Sequence, residues 1–344
     1  MRAVPSSTFV WLLHQPTVLG WVKREMATRR PDLKFAFSRP GLTTFKGSEP
    51  VASSFARAHG TSLGRAATAA EAIALAAPLT PLRGERLRLH VFERDVDRPA
   101  DERDATLVGS RARALEAELR AAAPERFLTG DEAQPGEHVL DVICAPAEEP
   151  AEPLFVGHHH HDASRGPFPG GVAHVAIPAE APSRAWAKIE EAIRWSGLAP
   201  RPGEIAVEIG SSPGGASYAL LERGLHVHGI DPGEMAPIVR DHPRFVHHAL
   251  PAAEVPKHAL PKQYRWLASD VNLAPMVALK YVERMVALAH GGLRGAFITL
   301  KLNDDGVFEA LPRLAARIEK LGARTVRYTQ LPSHRSEIVA ILAW

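Results

Sequence analysis

From about residue 184 onward, short apolar runs alternate with amphipathic stretches. The runs at 205–209, 225–230, 245–248, 264–268, 296–300, 325–330 and 338–343 have the length and composition of buried strands. The stretches at 184–195, 216–223, 277–289 and 308–321, with a short piece near Pro237, carry helical spacing, and Gly224, Gly291 and Gly322 stop three of them. Only residues 331–336 separate the last two strands. So short a link cannot hold a crossover helix, so the final strand must run antiparallel to its predecessor. The pattern predicts a doubly wound α/β sheet with an antiparallel final strand.

The first half lacks this rhythm. Residues 9–14 suggest a strand, 18–29 a helix and 33–45 an extended segment; 66–77 and 106–123 are Ala-rich and helical in spacing. In 86–94, Leu87, Leu89 and Val91 alternate with Arg86, Arg88 and His90, the period of a half-buried strand. Further strands are expected at 138–144, 154–158 and 172–177. The mixture without regular alternation is that of an α+β region. Prolines and glycines crowd 145–182, which places a domain boundary there and divides the chain into 1–180 and 181–344.

With 45% hydrophobic and 23% charged residues, the 344-residue chain is of ordinary globular composition, which excludes disordered and fibrous classes. No run approaches the roughly 20 apolar residues of a membrane span, and the apolar start at 9–13 is too short for a signal peptide. No membrane partner is expected, and a cytoplasmic location is. The single cysteine, Cys144, fits a reducing compartment and a place in an apolar strand. The net charge of +2 conceals a partition: residues 1–90 carry +8, 91–180 carry −10 and 181–344 carry +4. A basic opening segment beside a mildly basic domain is the footprint of a nucleic-acid binder, although a solvated surface of mixed charge produces it too.

Candidate chemistry gathers in the second half. Between a buried strand and a helix the chain reads Glu208-Ile209-Gly210-Ser211-Ser212-Pro213-Gly214-Gly215. Glycines there let the backbone pass close to a ligand, and a helix start offers unpaired N–H groups. The spacing is not the G-x-G-x-x-G of dinucleotide dehydrogenases. Asp231 ends the next strand, where a carboxylate can accept bonds from the two hydroxyls of an adenosyl ribose. Glu208 is expected near the cationic methionine end of such a ligand.

Asp270 ends the fourth strand, Lys301 ends the fifth and Glu337 begins the last. In an open α/β sheet all three arrive at the carboxyl edge, where ligands bind. Lys188, off the apolar face of its helix formed by Trp186, Ile189 and Ile193, can reach the same cleft. Methyl transfer to a sugar hydroxyl requires that the hydroxyl be positioned and lose its proton during attack. A lysine near its reference pKa of about 10.4 is protonated at neutral pH. A second ammonium and partial burial are expected to depress one lysine, and carboxylates to orient it. Lys301 is therefore the expected base or hydroxyl-orienting group, held by Lys188, Asp270 and Glu337.

These residues resemble the Lys-Asp-Lys-Glu tetrad of the FtsJ-type RNA ribose 2′-O-methyltransferases, and the glycine turn resembles that family's first motif. Similarity is greater to the branch that methylates a cytidine of bacterial 23S ribosomal RNA. It runs through Phe155-Val156-Gly157, Pro167-Phe168, Pro178-Ala179-Glu180-Ala181-Pro182-Ser183-Arg184 and Lys188-Ile189-Glu190-Glu191-Ala192 to the C-terminus. The resemblance implies an N-terminal region with a THUMP RNA-binding domain, a Rossmann-like catalytic domain, S-adenosyl-L-methionine as cofactor and large-subunit ribosomal RNA as partner. It also implies cofactor contacts from Ser183, Ser212, Pro213, Gly214, Gly215, Asp231 and Asp270, and Lys301 as proton acceptor. Ser212 stands where the family has cysteine. After the third strand, His247-His248-Ala249-Leu250-Pro251 replaces the family's acidic contact to adenine. A catalytically silent RNA-binding or assembly factor, and a methyltransferase of other substrates, are the alternatives.

The run His158-His159-His160-His161 belongs to none of this. Successive side chains on an extended segment point to opposite faces, which is poor geometry for one metal. No metal is therefore expected, and the run is read as RNA contact or loop.

Overall fold

A computed structural model describes residues 8–50, 52–79, 86–95, 109–147, 149, 151–302 and 305–344. The chain forms two compact units, Met1–His174 and Val175–Trp344. Among the described residues no helix is long and apolar enough to cross a membrane.

The first unit contains β1 (Phe9–His14), α1 (Leu19–Arg29), β2 (Lys34–Arg39), β3 (Leu42–Lys46), β4 (Ala56–Ala66), α2 (Ala69–Leu75), β5 (Arg88–Glu93), α3 (Ser110–Ala122), β6 (His138–Cys144) and β7 (Leu154–His160). They make a seven-stranded sheet in the order β2-β3-β1-β4-β7-β6-β5. Only the β5–β6 pair is parallel; the others are antiparallel. On one face Leu89, Val91, Leu140, Val142 and Val156 pack against Ala69, Ala72, Ala112, Leu115 and Leu119 of α2 and α3. On the other lie Trp11, Leu13, Phe92, Ile143 and Phe155. The expected α+β character of this region is met. The start of the Ala-rich helix expected at 106 lies outside the described residues.

Four expectations for this unit need correction. The extended segment at 33–45 is a β2–β3 hairpin. The longest strand, β4, went unpredicted because small residues replace its alternation. Its Gly60, with Gly157 of β7, leaves room for the Trp11 indole: a Cβ would come within 2.9 Å of that ring at Gly60 and 2.2 Å at Gly157. β5 is buried on both faces rather than half-buried, because Arg88 is paired with Glu137 at 2.8 Å and His90 Nε2 donates to the Asp131 carbonyl at 2.8 Å. Residues 172–177 form no strand, both edges of β7 being already paired with β4 and β6.

The histidine run is strand through His160 rather than loop. His158 and His159 are buried within β7 and His161 just beyond it, while His160 is exposed. Cys144 is wholly buried, and burial pushes its thiol up to about 12, as befits a core residue.

The second unit contains α4 (Ala185–Ser196), β8 (Ile205–Ile209), α5 (Gly215–Glu222), β9 (His226–Ile230), α6 (Pro237–Arg240), β10 (Phe245–His248), β11 (Trp266–Ser269), α7 (Pro275–Leu288), β12 (Gly295–Lys301), α8 (Asp305–Glu319), β13 (Thr325–Thr329) and β14 (Glu337–Ala343). Its sheet order is β10-β9-β8-β11-β12-β14-β13. The first five strands are parallel, and β14 lies antiparallel between β12 and β13. The antiparallel final strand is as expected. Its place inside the sheet, with β13 on the edge, accounts for the unbroken apolar run Ile338-Val339-Ala340-Ile341-Leu342, buried throughout.

Candidate active site

The carboxyl ends of β8, β9, β11 and β12 all open on one edge of the second sheet. Gly210, with φ +81°, turns the chain out of β8; a Cβ there would come within 2.7 Å of the Asp270 carbonyl oxygen. Gly214, with φ +115°, caps α5 without any side chain on its first N–H groups. The turn therefore passes directly beside Asp270 and ends on an uncapped helix start. Gly215 packs against Ser183, whose Oγ would lie 2.2 Å from a Cβ at that position. Ser212 Oγ donates to the Glu234 carbonyl at 2.7 Å, with Pro213 next to it completing the turn. Asp231 follows β9, and one of its oxygens accepts from the Gly233 amide at 2.7 Å.

The four ionisable residues singled out above converge. Lys188 Nζ stands 2.8 Å from Asp270 and 2.6 Å from Glu337; Lys301 Nζ stands 3.0 Å from Asp270 and is hydrogen-bonded to Glu337. Each lysine bridges both carboxylates, so the four make a closed ring of alternating charge. Strand register explains half of it, because Lys301 and Glu337 are direct partners across β12 and β14. Asp270 arrives one residue beyond β11, and Lys188 comes down from α4.

The electrostatics depart from expectation at Lys301. Burial alone would lower its pKa, but the Asp270 and Glu337 carboxylates outweigh that and raise it above the ordinary lysine value. The second ammonium does not depress it, because every lysine here faces two carboxylates. Asp270 is the mirror case: burial would raise it, and the two ammonium groups hold it below the usual carboxylate range.

Glu208 is wholly buried, and burial drives it up to about 8 although Ser217 Oγ donates to it. It lines one small pocket together with Lys188, Asp270, Ser269, Thr299 and His334. It is thus an internal acid beside the ring, not a strand-end charge facing water.

Sequence reasoning missed two contributors. His334, on the 331–336 connection, is buried beside the ring and kept uncharged at neutral pH, its pKa pushed down to about 4 by burial and then by Lys188. Glu191, one turn after Lys188 on α4, accepts from the Ser333 amide and hydroxyl, both at 2.9 Å, and so ties that connection to the helix. No local signal marks Glu191, which lies on the side of α4 that carries Lys188, off the face of Trp186, Ile189 and Ile193. At the position of the absent adenine carboxylate, His247 Nε2 lies 2.9 Å from the Asp231 carbonyl oxygen, while Leu250 is exposed.

A parallel sheet with one inserted antiparallel strand, a glycine turn after its first strand and an acidic residue after its second define a Rossmann-like methyltransferase fold. Residues 181–305 match the family model of the FtsJ-like methyltransferases. Ribosomal RNA large subunit methyltransferase M of Halorhodospira halophila is 32% identical over 191 residues, covering 54% of this chain and 55% of the relative. Its namesake from Dickeya chrysanthemi is 31% identical over 241 residues, covering 65% and 62%. The chain thus spans little more than half the length of these curated relatives. The crystal structure of TrmN from Thermus thermophilus overlaps 97% of this chain and 99% of its own at 11% identity and a TM-score of 0.36, too loose a likeness to bear on function.

Proposed function

We propose that this protein transfers a methyl group from S-adenosyl-L-methionine to a ribose 2′-hydroxyl of RNA, with large-subunit ribosomal RNA in the cytoplasm as substrate. The observation that carries this reading is the closed ring of Lys188, Asp270, Lys301 and Glu337, set against a glycine turn at one sheet edge. The similarity to the two ribosomal RNA methyltransferases supports the choice of RNA.

The residues around the turn suit such a cofactor. Asp231 suits the ribose hydroxyls; Ser183, Gly210, Ser212, Pro213, Gly214 and Gly215 form the backbone cradle at the helix start; Asp270 supplies negative charge for a cationic amino-acid end, and Glu208, held protonated by burial, lines the pocket beside it. When bound, the cofactor would supply an electrophilic methyl on a sulfonium. Lys301, held charged by two carboxylates, acts as a base once its own proton has passed to solvent. Its free amine orients the incoming hydroxyl and takes up the proton as attack proceeds. Lys188 keeps Asp270 and Glu337 compensated, so the carboxylates remain ionised while Lys301 cycles. His334, uncharged, adds no competing cation.

The first unit is the RNA-gripping, THUMP-type region in this reading. Arg24, Lys34, Arg39 and Lys46 are exposed on α1, β2 and β3, and Lys34 lies directly across from Lys46. Phe35, between them, is 48% exposed with the Lys23 ammonium 3.8 Å over its ring. The exposed part of Phe35 with Lys23 over it, and the exposed lysine pair at the neighbouring register position, suit a stacked base and a phosphate backbone.

The test is incorporation of labelled methyl into protein-stripped large-subunit ribosomal RNA, followed by mapping of ribose methylation. Lys301→Ala should abolish incorporation while retaining cofactor binding by calorimetry. Unchanged methylation by Lys301→Ala would remove Lys301 as proton acceptor, and labelling of protein but not RNA would remove RNA as substrate.

A further inference from the structure

The buried histidines of the first unit remain unused by this chemistry. His90 of β5 and Asp141 of β6 are direct partners in register, and Asp141 in turn faces Gly157 of β7. His159, two residues beyond Gly157, projects to the same face as Asp141 and is its diagonal neighbour. That face is the one carrying Phe92, Ile143 and Phe155, away from α2 and α3. Three adjacent strands thus bring two imidazoles and one carboxylate together, with one ligating atom of each within 4.8 Å of the others. His90 and Asp141 are each 1% exposed and His159 is 7% exposed.

The hydrogen bonds fix which atoms present lone pairs. The Asp131 carbonyl lies 2.8 Å from His90 Nε2 and can only accept, so the proton sits on Nε2. His90 Nδ1 therefore turns a lone pair toward Asp141 Oδ1, 3.8 Å away, an acceptor facing an acceptor. His159 Nδ1 donates to Asp141 Oδ2 at 2.7 Å, and its Nε2 is buried with no hydrogen-bond partner among the described residues. No lysine or arginine bonds Asp141 among the described residues. A buried carboxylate is costly unless a cation answers it, and here only imidazoles surround it.

We propose that His90, Asp141 and His159 bind one divalent transition-metal ion of the zinc type. Two imidazoles and one carboxylate suit zinc or cobalt; magnesium and calcium prefer all-oxygen shells. The Asp131 carbonyl serves as the outer support that metal-bound imidazoles commonly have, holding the His90 tautomer that offers Nδ1. A fourth position is left to water. The ion would tie β5, β6 and β7 together at the middle of their span. The alternation of side chains along a strand still keeps His158 and His160 out of the site; the partners of His159 come from neighbouring strands, not from the run itself.

The experiment uses the full-length, untagged protein, freed of metal with a chelator and titrated with cobalt(II) and with zinc. The expected result is one tight site with the intense visible absorption of four-coordinate cobalt, displaced by one equivalent of zinc, and a higher melting temperature with zinc. Zinc-edge X-ray absorption on the wild-type protein should show two imidazoles in the first shell. His90→Gln should weaken binding more than about 100-fold, beyond the 10–100-fold typical of losing only an outer support, whereas His160→Gln, on the opposite face, should leave it unchanged. Absence of a stoichiometric site in the wild-type protein, an all-oxygen shell, or loss of the site in His160→Gln with retention in His90→Gln would each overturn the proposal. Far-UV circular dichroism of His90→Gln separates lost ligation from lost folding, and the wild-type absorption measurement stands without any variant.

Discussion

The two sheets handle charge in opposite ways. In the second unit the ionisable residues stand at strand ends, where a parallel sheet delivers them to a common edge, and four of them close into one ring. In the first unit several are buried: Arg88 and Arg94, at either end of β5, pair with Glu137 and with Glu149 and Glu152, and Asp141 pairs in mid-strand with His159. Edge placement leaves groups able to meet a ligand and change protonation. Interior placement couples each group to the strands around it, so its loss is felt as stability.

The sharpest break of this contrast would come at Lys301. Lys301→Ala should lower methyl transfer by roughly 100-fold or more, in the range of general-base loss, with little change in melting temperature. A comparable loss of stability would place the ring among structural ion pairs. Arg94→Ala tests the other side. It removes the buried guanidinium that joins Glu149 and Glu152, leaving Glu152 only Arg39 at 2.7 Å, and should cost up to about 3 kcal/mol, read by denaturant unfolding, while methyl transfer per folded molecule stays near wild type.

Glu208 blurs the contrast, being an interior acid at the edge site. Burial raises it to about 8 from the ordinary carboxylate range. A raised carboxyl stabilises the fold fully below its unfolded pKa, and that contribution fades as pH rises through about 8. Glu208→Gln, which keeps the neutral shape, should therefore flatten the loss of thermal stability between about pH 5 and pH 9, by a few kcal/mol at the alkaline end. An unchanged pH profile would mean that Glu208 is ionised in the folded protein.

The smallest expected effect concerns the exposed basic face. Lys34→Glu with Lys46→Glu should weaken RNA binding several-fold and reduce its salt dependence, whereas reversing charges within 91–180 should do less. Equal effects from both segments would detach the charge partition from RNA binding.

How much of this was legible follows the same division. The second sheet could be read because glycines stop its helices, a six-residue link forces an antiparallel strand, and the edge rule carries Asp270, Lys301 and Glu337 to one place. What escaped there was His334, on a connection without periodicity, and the protonation of Lys301, which depends on both carboxylates facing it. In the first unit β4 was hidden because Trp11 fills the space above its glycine, and β5 read as half-buried because Arg88 and His90 find interior partners. The His90–Asp141–His159 cluster draws one residue from each of three strands whose register the sequence does not state. Local pattern reaches strand ends more readily than cross-strand neighbours.

The most direct measurement is ribose-methylation mapping of stripped large-subunit ribosomal RNA incubated with S-adenosyl-L-methionine and either the wild-type protein or Lys301→Ala. One 2′-O-methylated nucleotide appearing with the wild-type protein and not with the variant is the expected result. Methylation by both, or by neither despite cofactor and RNA binding, would contradict the assignment of the ring to methyl transfer.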